Sequence, residues 1–395
     1  MRGNASRPLG FRIDHPLELH GWSVLEVDSL LPMETAPECP ADGTTMKTLC
    51  TLTGGTGDTR VRIGCCTECG HISYVDRPTK QWIDDYYRDV WDSAAARTVG
   101  EGAVAERRKL IRATAKKEKS PVRLAGLLPL DRSLPVCEIG CGFGVSLRQL
   151  ASKGFTRLVG VEASQHRADV ARSDGFDVLA TPFEALETRH ALQRRGPFAL
   201  IHTYHALEHT YHPDSVFAAA AELQEPGGYL IVSVPHQQGE PSMSVLLFLP
   251  HLHSFTSASL ACLAGRYGYE ISDASASNAK NLNVVFRRTG TRVTVAPSEG
   301  AYARAVSKLV SALELDRRRV GRRRLWWSRR SDEAGQVWAG PPDILGRWNW
   351  KRSLARIRRD GVRSMVVTNL RVRQSRDDAS PLEIQFREHV GLFVK

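Results

Sequence analysis

The sequence has no apolar run that approaches a membrane span, which requires about 20 residues. The apolar run at 245–249 is far too short. The first 19 residues also lack the basic region and apolar core of a secretory signal, because Arg, Asp, His and Pro interrupt them. We therefore expect a cytoplasmic protein without a transmembrane segment.

Cysteines are few, and their distribution does not fit a disulfide framework. Of the eight, five crowd one N-terminal segment: Cys39, Cys50, Cys65, Cys66 and Cys69. Such crowding, in a chain expected to be intracellular, indicates a metal site.

Two turns within 39–78 carry candidate ligands. The run C-T-E-C-G at 66–70 places two thiolates at a spacing that lets both face one tetrahedral ion. In the run C-P-A-D-G at 39–43, a carboxylate stands where a second thiolate would be. The pattern predicts a zinc-ribbon-like segment with a structural zinc, whose candidate ligands are Cys39, Asp42, Cys66 and Cys69. Cys50 or Cys65 are alternatives to Asp42, and a metal-free segment folded against the main domain is the other alternative.

The net charge of +11 is unevenly placed. Much of it lies at 317–330, where arginines surround Trp326 and Trp327. Basic residues interleaved with aromatics are able to bind nucleic acid or an anionic headgroup. A solvated helix face or loop is the simpler interpretation, and we favour it.

The most informative segment is V-C-E-I-G-C-G-F-G at 136–144, which predicts a buried strand, a glycine-rich turn and a helix start. Its spacing, E-x-G-x-G-x-G, differs from the G-x-G-x-x-G of dinucleotide sites. Glu138 would repel a diphosphate but suits a cationic ligand with an α-amino group. Glu162 ends the next predicted strand, where a carboxylate can accept hydrogen bonds from two ribose hydroxyls. A nucleoside-bearing cofactor is therefore expected.

From residue 134 onward, predicted strands alternate with helices. The strands fall at 135–139, 157–161, 177–180, 198–203 and 229–234, with closing strands near 269–273 and 282–287. This predicts an α/β fold with a doubly wound, mostly parallel seven-stranded sheet. The predicted divisions are an N-terminal module (1–99), a linking helix (100–133), the main domain (134–290) and a basic C-terminal accessory region (291–395).

The glycine loop resembles the first motif of the class I S-adenosylmethionine-dependent methyltransferases. H-A-L-E-H at 205–209 and P-G-G-Y-L at 226–230 are similar to segments of their small-molecule branch. C-T-E-C-G followed by R-P-T at 77–79 is similar to the zinc-binding lead of deoxysugar C-methyltransferases. The resemblance covers about 39–290, and it departs where Ala199 replaces the family's aspartate.

This resemblance implies a Rossmann-like methyltransferase fold that binds S-adenosylmethionine. The residues expected to bind the cofactor are Glu138, Gly140, Cys141, Gly142, Gly144, Glu162, Phe183 and His205. Phe183 is expected near the adenine, with a plain core position as the alternative.

Methyl transfer requires an aligned acceptor and, where the acceptor carries a proton, a base. Four histidines follow the fourth strand or precede a predicted capping helix: His205, His209, His251 and His253. Histidine titrates near neutral pH, which suits the role of base. His209 and His253 are the candidate bases, and the resemblance implies a tyrosine, Tyr86 or its neighbour Tyr87, reaching over from the N-terminal module. We take Tyr86 as the catalytic candidate, and a helix-bracing role is the alternative for His209.

The predicted function is S-adenosylmethionine-dependent C- or O-methylation of a small molecule, such as a nucleotide-linked deoxysugar or a secondary metabolite. One alternative is an RNA methyltransferase that grips nucleic acid through 317–330. Others are a modifier of a lipid-linked glycan and a protein that binds the cofactor without catalysis. The sequence leaves the oligomeric state open.

Overall fold

The computed structural model describes residues 32–53, 60–85, 87, 117–236, 251–305, 307–308, 370–373 and 382–386. Predictions for residues 1–31, for Tyr86, for the 317–330 arginine cluster and for most of the linking helix lie outside this range. Among the described residues, no helix combines the length and the apolar character that crossing a bilayer requires.

The main domain is built on a seven-stranded sheet. In chain order its strands are β6 (Pro135–Ile139), β7 (Arg157–Glu162), β8 (Asp177–Ala180), β9 (Leu200–Tyr204), β10 (Tyr229–Pro235), β12 (Tyr269–Ile271) and β13 (Asn281–Arg288). Their spatial order is β12-β13-β10-β9-β6-β7-β8. The neighbours from β8 to β10 pair in parallel, whereas β13 pairs antiparallel with both β10 and β12. The sheet is therefore mixed, because the last two strands are joined as an antiparallel pair and not through a crossover helix.

Helices cover both faces of this sheet. The helices α2 (Ser120–Ala125), α3 (Val145–Ser152) and α4 (Gln165–Ser173) pack on one face. On the other face lie α5 (Leu186–Gln193), α6 (Pro213–Leu223) and α7 (Ser257–Arg266). The side chains packed under α2, α3 and α4 form the first apolar layer, and those under α5, α6 and α7 form the second. Side chains alternate along β6, so Val136 packs in the first layer, and Cys137 and Ile139 pack in the second. This alternation produces a Rossmann-like three-layer domain.

A second sheet contains the cysteine-rich segment. Its strands are β2 (Lys47–Thr53), β3 (Arg60–Cys65), β4 (Ile72–Tyr74), β11 (His253–Ser254), β14 (Leu370–Arg373) and β15 (Leu382–Phe386), in the order β11-β4-β3-β2-β15-β14. A separate pair, β1 (Met33–Thr35) and β5 (Asp76–Pro78), precedes α1 (Lys80–Asp85). The strand β11 comes from the main domain, and β15 pairs in parallel with β2. The sheet therefore joins three distant parts of the chain.

The N-terminal module is docked on α7. The hydroxyl of Thr256, which caps this helix, donates to the carbonyl of Cys69 at 2.7 Å. At the other end, Nη1 of Arg266 donates to the carbonyls of Pro40 and Ala41. The two cysteine-bearing turns thus rest against one helix of the main domain.

Candidate functional site

The glycine loop lies between β6 and α3, at the carboxyl end of the parallel strands. Gly140, Gly142 and Gly144 all have positive φ values of 71°, 54° and 74°, which favour glycine over residues with a Cβ. A Cβ on Gly140 would lie 2.6 Å from the Cβ of Ala206, so the loop closely approaches the segment after β9. Ligands of doubly wound sheets bind at this edge.

Glu162 is the last residue of β7 and organises the loop. Its Oε2 accepts from the backbone N–H of Gly142 at 2.8 Å, and its Oε1 accepts from the N–H of Ser164 at 3.0 Å. The carboxylate is half-buried. A carboxylate at the end of the second strand is able to accept hydrogen bonds from the two ribose hydroxyls of a nucleoside.

Glu138 lies beneath the loop and is only 2% exposed. Burial raises its pKa to about 8, although hydrogen bonds from Ser146 and from the backbone of Leu147 oppose the shift. Nδ1 of His202 is 4.0 Å from its Oε1. The carboxyl is therefore poised to ionise when a cation arrives.

The other expected cofactor residues occupy different surroundings. Cys141 is buried under the loop and packs in the first apolar layer. Phe183 is buried in the apolar layer on the face of the sheet covered by α5, α6 and α7. His205 has the unusual φ of 52°, and its Nε2 lies 3.0 Å from Oδ1 of Asn281. It stands directly after β9, beside the glycine loop.

A cluster of polar side chains lies at the same carboxyl edge of the sheet. Nδ1 of His209 and the hydroxyl oxygen of Tyr87 form a hydrogen bond of 2.7 Å. The rings of His209 and His251 have centroids 4.6 Å apart, and Nε2 of His209 is 3.9 Å from Oε1 of Glu208. We call the four residues Tyr87, Glu208, His209 and His251 the rim cluster. Glu208 and His209 of this cluster lie on the short helix Leu207–His209. The helix directly follows Ala206, which lies against the glycine loop.

His253 has a different environment from His209. It is 3% exposed, and its Nδ1 lies 3.1 Å from Nε2 of His71. Burial holds its pKa well below the usual value. His253 therefore joins the N-terminal module to the main domain, and it is His251 that reaches the rim cluster. Neither spacing nor residue type distinguishes these two histidines in the sequence.

The four candidate metal ligands converge. One ligand atom each of Cys39, Asp42, Cys66 and Cys69 can be chosen so that all lie within 4.8 Å of one another. The sulfurs of Cys39 and Cys69 are 3.6 Å apart, and Oδ2 of Asp42 is 3.2 Å from the sulfur of Cys66. Zinc–sulfur bonds of about 2.3 Å in a tetrahedron would hold two sulfurs about 3.8 Å apart. The donor set thus has the chemistry and spacing of a zinc site.

Cys65 stands outside this group. Its thiol donates to the carbonyl of Cys66, and burial raises its pKa to about 12. It therefore offers a buried thiol next to the four converging ligands, and not a fifth member.

Comparison with known proteins finds similarity to methyltransferases. Residues 107–274, less than half of the chain, match the model of the methyltransferase domain family. This segment contains the glycine loop and the parallel strands of the Rossmann-like fold, and it is therefore similar to a methyltransferase domain.

Particular relatives are methyltransferases that act on small molecules. The ubiquinone biosynthesis O-methyltransferase of Bordetella avium is 30% identical over 123 residues, which cover 29% of this chain and 49% of that protein. The 27-O-demethylrifamycin SV methyltransferase of Amycolatopsis mediterranei is 26% identical and covers 41% of this chain and 55% of its own length. This chain spans about half the length of these curated relatives.

A solved structure, magnesium protoporphyrin IX methyltransferase from Synechocystis with bound S-adenosylmethionine, is 16% identical to this chain. The match has a TM-score of 0.34 and covers 53% of this chain and 97% of that one.

Proposed function

We propose that the protein transfers the methyl group of S-adenosylmethionine to a small-molecule acceptor. The observation that carries this proposal is Glu162, a carboxylate at the end of β7 that already orients the glycine loop through the N–H of Gly142. A ribose placed there would set the rest of the cofactor across the loop, toward β9 and the rim cluster. The match of 107–274 to the methyltransferase domain family supports it.

The residues around the loop suit this cofactor better than a dinucleotide. Glu138 offers a buried carboxyl to a cationic amino group, whereas a diphosphate would find no positive charge in it. When bound, S-adenosylmethionine supplies a methyl group on a positively charged sulfur; the acceptor's electron pair forms the new bond, and the sulfur keeps the electrons of the broken one. The protein's task is then alignment and removal of the acceptor's proton.

We place the acceptor beside the rim cluster. His209 is the expected proton-handling residue, and its hydrogen bond with Tyr87 fixes the orientation of its ring. Tyr87 supplies the tyrosine that the sequence assigns to Tyr86, and His251 supplies the second histidine, since His253 is buried against His71.

A hydroxyl oxygen is the proposed acceptor atom, because one curated relative is an O-methyltransferase by name and the other is named for an O-demethylated compound. The proposed substrate class is a nucleotide-linked deoxysugar or a secondary metabolite. The rifamycin relative supports the secondary metabolite in particular.

We further propose that the N-terminal module holds a structural zinc. Cys39, Cys66 and Cys69 would bind it as thiolates and Asp42 through an oxygen. The convergence of these atoms within 4.8 Å supports this ligand set, as does the tetrahedral spacing of the sulfurs. The ion would tie both cysteine-bearing turns to each other beneath α7.

Calorimetric titration with S-adenosylmethionine tests the proposed function. Glu162→Ala is expected to weaken binding about 30-fold or more, because charged hydrogen bonds contribute roughly 2 kcal/mol. Glu187→Ala, which removes a surface carboxylate from the first turn of α5, is the matched control and should bind as the wild type does. Equal affinity of wild type and Glu162→Ala would refute the cofactor assignment.

A further inference from the structure

Glu208 carries a buried carboxyl group beside the glycine loop. It is 1% exposed, and within the described part of the chain neither of its oxygens accepts a hydrogen bond. A carboxyl group removed from water requires a partner, either a hydrogen-bond donor or a cation.

The atoms nearest to this carboxylate are ring nitrogens. Nδ1 of His205 is 3.5 Å and Nε2 of His209 is 3.9 Å from the same oxygen, Oε1. Both distances exceed those of ordinary hydrogen bonds. Nε2 of His205 lies within hydrogen-bond distance of Asn281 Oδ1, so this nitrogen is engaged away from the carboxylate. Among the described residues, the carboxylate of Glu208 therefore has ring nitrogens as near neighbours but accepts no ordinary hydrogen bond.

Three of these side chains form a ligand set. Glu208, His209 and His251 each offer one ligand atom, and these atoms lie within 4.8 Å of one another. Ligands about 2.1 Å from a common ion are separated by roughly 3.0–4.2 Å, so small side-chain rotations would bring all three into contact with it. Two imidazoles and one carboxylate are a common set at transition-metal sites that keep open positions.

The surroundings of His209 also fit a metal ligand. Its Nδ1 is engaged by the hydroxyl of Tyr87 at 2.7 Å, which leaves Nε2 directed toward Glu208. A metal-bound histidine almost always bonds through its other ring nitrogen to a second group that fixes the ring. Tyr87 follows the N-terminal module's α1 closely in the chain, so the module would supply this support.

We propose that Glu208, His209 and His251 bind a divalent transition-metal ion whose open positions face the acceptor. The catalytic role of this ion rests on the proposed function, whereas its binding does not. With the ion bound, His209 would serve as a ligand and would no longer take the acceptor's proton. An acceptor hydroxyl bound to the ion would lose its proton to solvent more readily, and the resulting oxyanion would attack the methyl group. The S–CH₃ bond breaks, its electron pair stays on sulfur, and the metal is unchanged.

Cobalt(II) titration of the full-length protein tests the site without any turnover. The protein is first saturated with zinc at the thiolate ligands and freed of loosely bound metal by dialysis. One further equivalent of Co²⁺ should then bind with the visible absorption of nitrogen and oxygen ligands, without thiolate charge-transfer bands. Glu208→Gln and His251→Ala should weaken this binding by about 100-fold or more, and Tyr87→Phe by about 10-fold. His190→Ala removes an exposed histidine from the last turn of α5, outside the rim cluster, and should change nothing.

Absence of a saturable second equivalent in the wild type would overturn the proposal, as would equal binding in Glu208→Gln, His251→Ala and the His190→Ala control. Circular dichroism identifies any variant that fails to fold, and at least one of the two ligand variants must fold for comparison. Titration with S-adenosylmethionine is measured separately on the same samples. If a ligand variant loses cobalt binding but binds the cofactor normally, the substitution has affected the metal site alone. If the wild type does not bind the cofactor, the proposed function is refuted.

Discussion

Glu138 illustrates how a single residue links the site to stability. Burial beneath the glycine loop raises its pKa to about 8 from a usual value of 4.5. Between these two values the unfolded chain has lost the proton while the folded chain retains it. The folded state then binds more protons than the unfolded state, so stability falls as the pH rises through this window.

Replacing Glu138 by Gln is expected to flatten this pH dependence. Urea unfolding of the wild type should give a free energy of unfolding that declines from about pH 5 to about pH 8, and the decline should be smaller in Glu138→Gln. The surface variant Glu187→Gln should retain the wild-type slope. Equal slopes for wild type and Glu138→Gln would show that Glu138 is ionised in the folded protein.

Residue spacing in the sequence is enough to place Glu162 and His209 at the carboxyl edge of the sheet. The positions of Glu162 and His209 follow from the strand ends that precede them, because parallel strands end at one edge of the sheet. The partners of His209 do not follow. Tyr87 and His251 each have a neighbour of the same residue type within two positions, and the choice between neighbours depends on how the N-terminal module docks.

The helix α7 is the element that connects the two units. Its N-cap, Thr256, accepts from the N–H of Ser259, and Ser259 accepts in return from the N–H of Thr256. The same Thr256 hydroxyl donates to the carbonyl of Cys69. One hydroxyl therefore begins a helix and anchors a cysteine-bearing turn.

Thr256→Ala should lower the free energy of unfolding by about 1.5–3 kcal/mol. A lost N-cap costs about 0.5–2 kcal/mol, and the lost bond to Cys69 adds about 1 kcal/mol. Ser164→Ala removes the N-cap of α4, where the hydroxyl accepts from the N–H of Arg167, and serves as the reference for the cost of a cap. Urea unfolding measures both, and equal losses would show that the bond to Cys69 adds no stability.

Among the secondary-structure elements, the strands of the main domain can be predicted from the sequence, but the assembly of the second sheet cannot. Each main-domain strand is a short apolar run bounded by glycine or a polar turn, and all seven predicted strands are present. The pairing of β15 with β2 joins residues more than 300 positions apart. Local pattern carries no information about such a pairing.

If the proposed zinc is present, the N-terminal module and the main domain should unfold together. Because the converging cysteines lie under α7, removal of the ion should lower the melting temperature of the protein as a single transition. Differential scanning fluorimetry with and without a zinc chelator measures this shift, and elemental analysis measures the zinc content. Cys66→Ser should contain no zinc and should not respond to the chelator.

Cys65→Ser is the matched control, because this buried thiol precedes Cys66 and donates to its carbonyl. It should keep one zinc per chain and the full response to the chelator. A zinc content that is the same in Cys66→Ser as in wild type would contradict the ligand set. Two separate melting transitions would contradict the coupling through α7.

The position of β15 has a consequence for the order in which the protein is made. A ribosome releases the cysteine-bearing strands first, yet their neighbour in the sheet is translated more than 300 residues later. Until then the outer edge of β2 presents unpaired backbone groups, which other chains are able to recruit. We expect nascent chains to need protection at this edge throughout synthesis of the main domain.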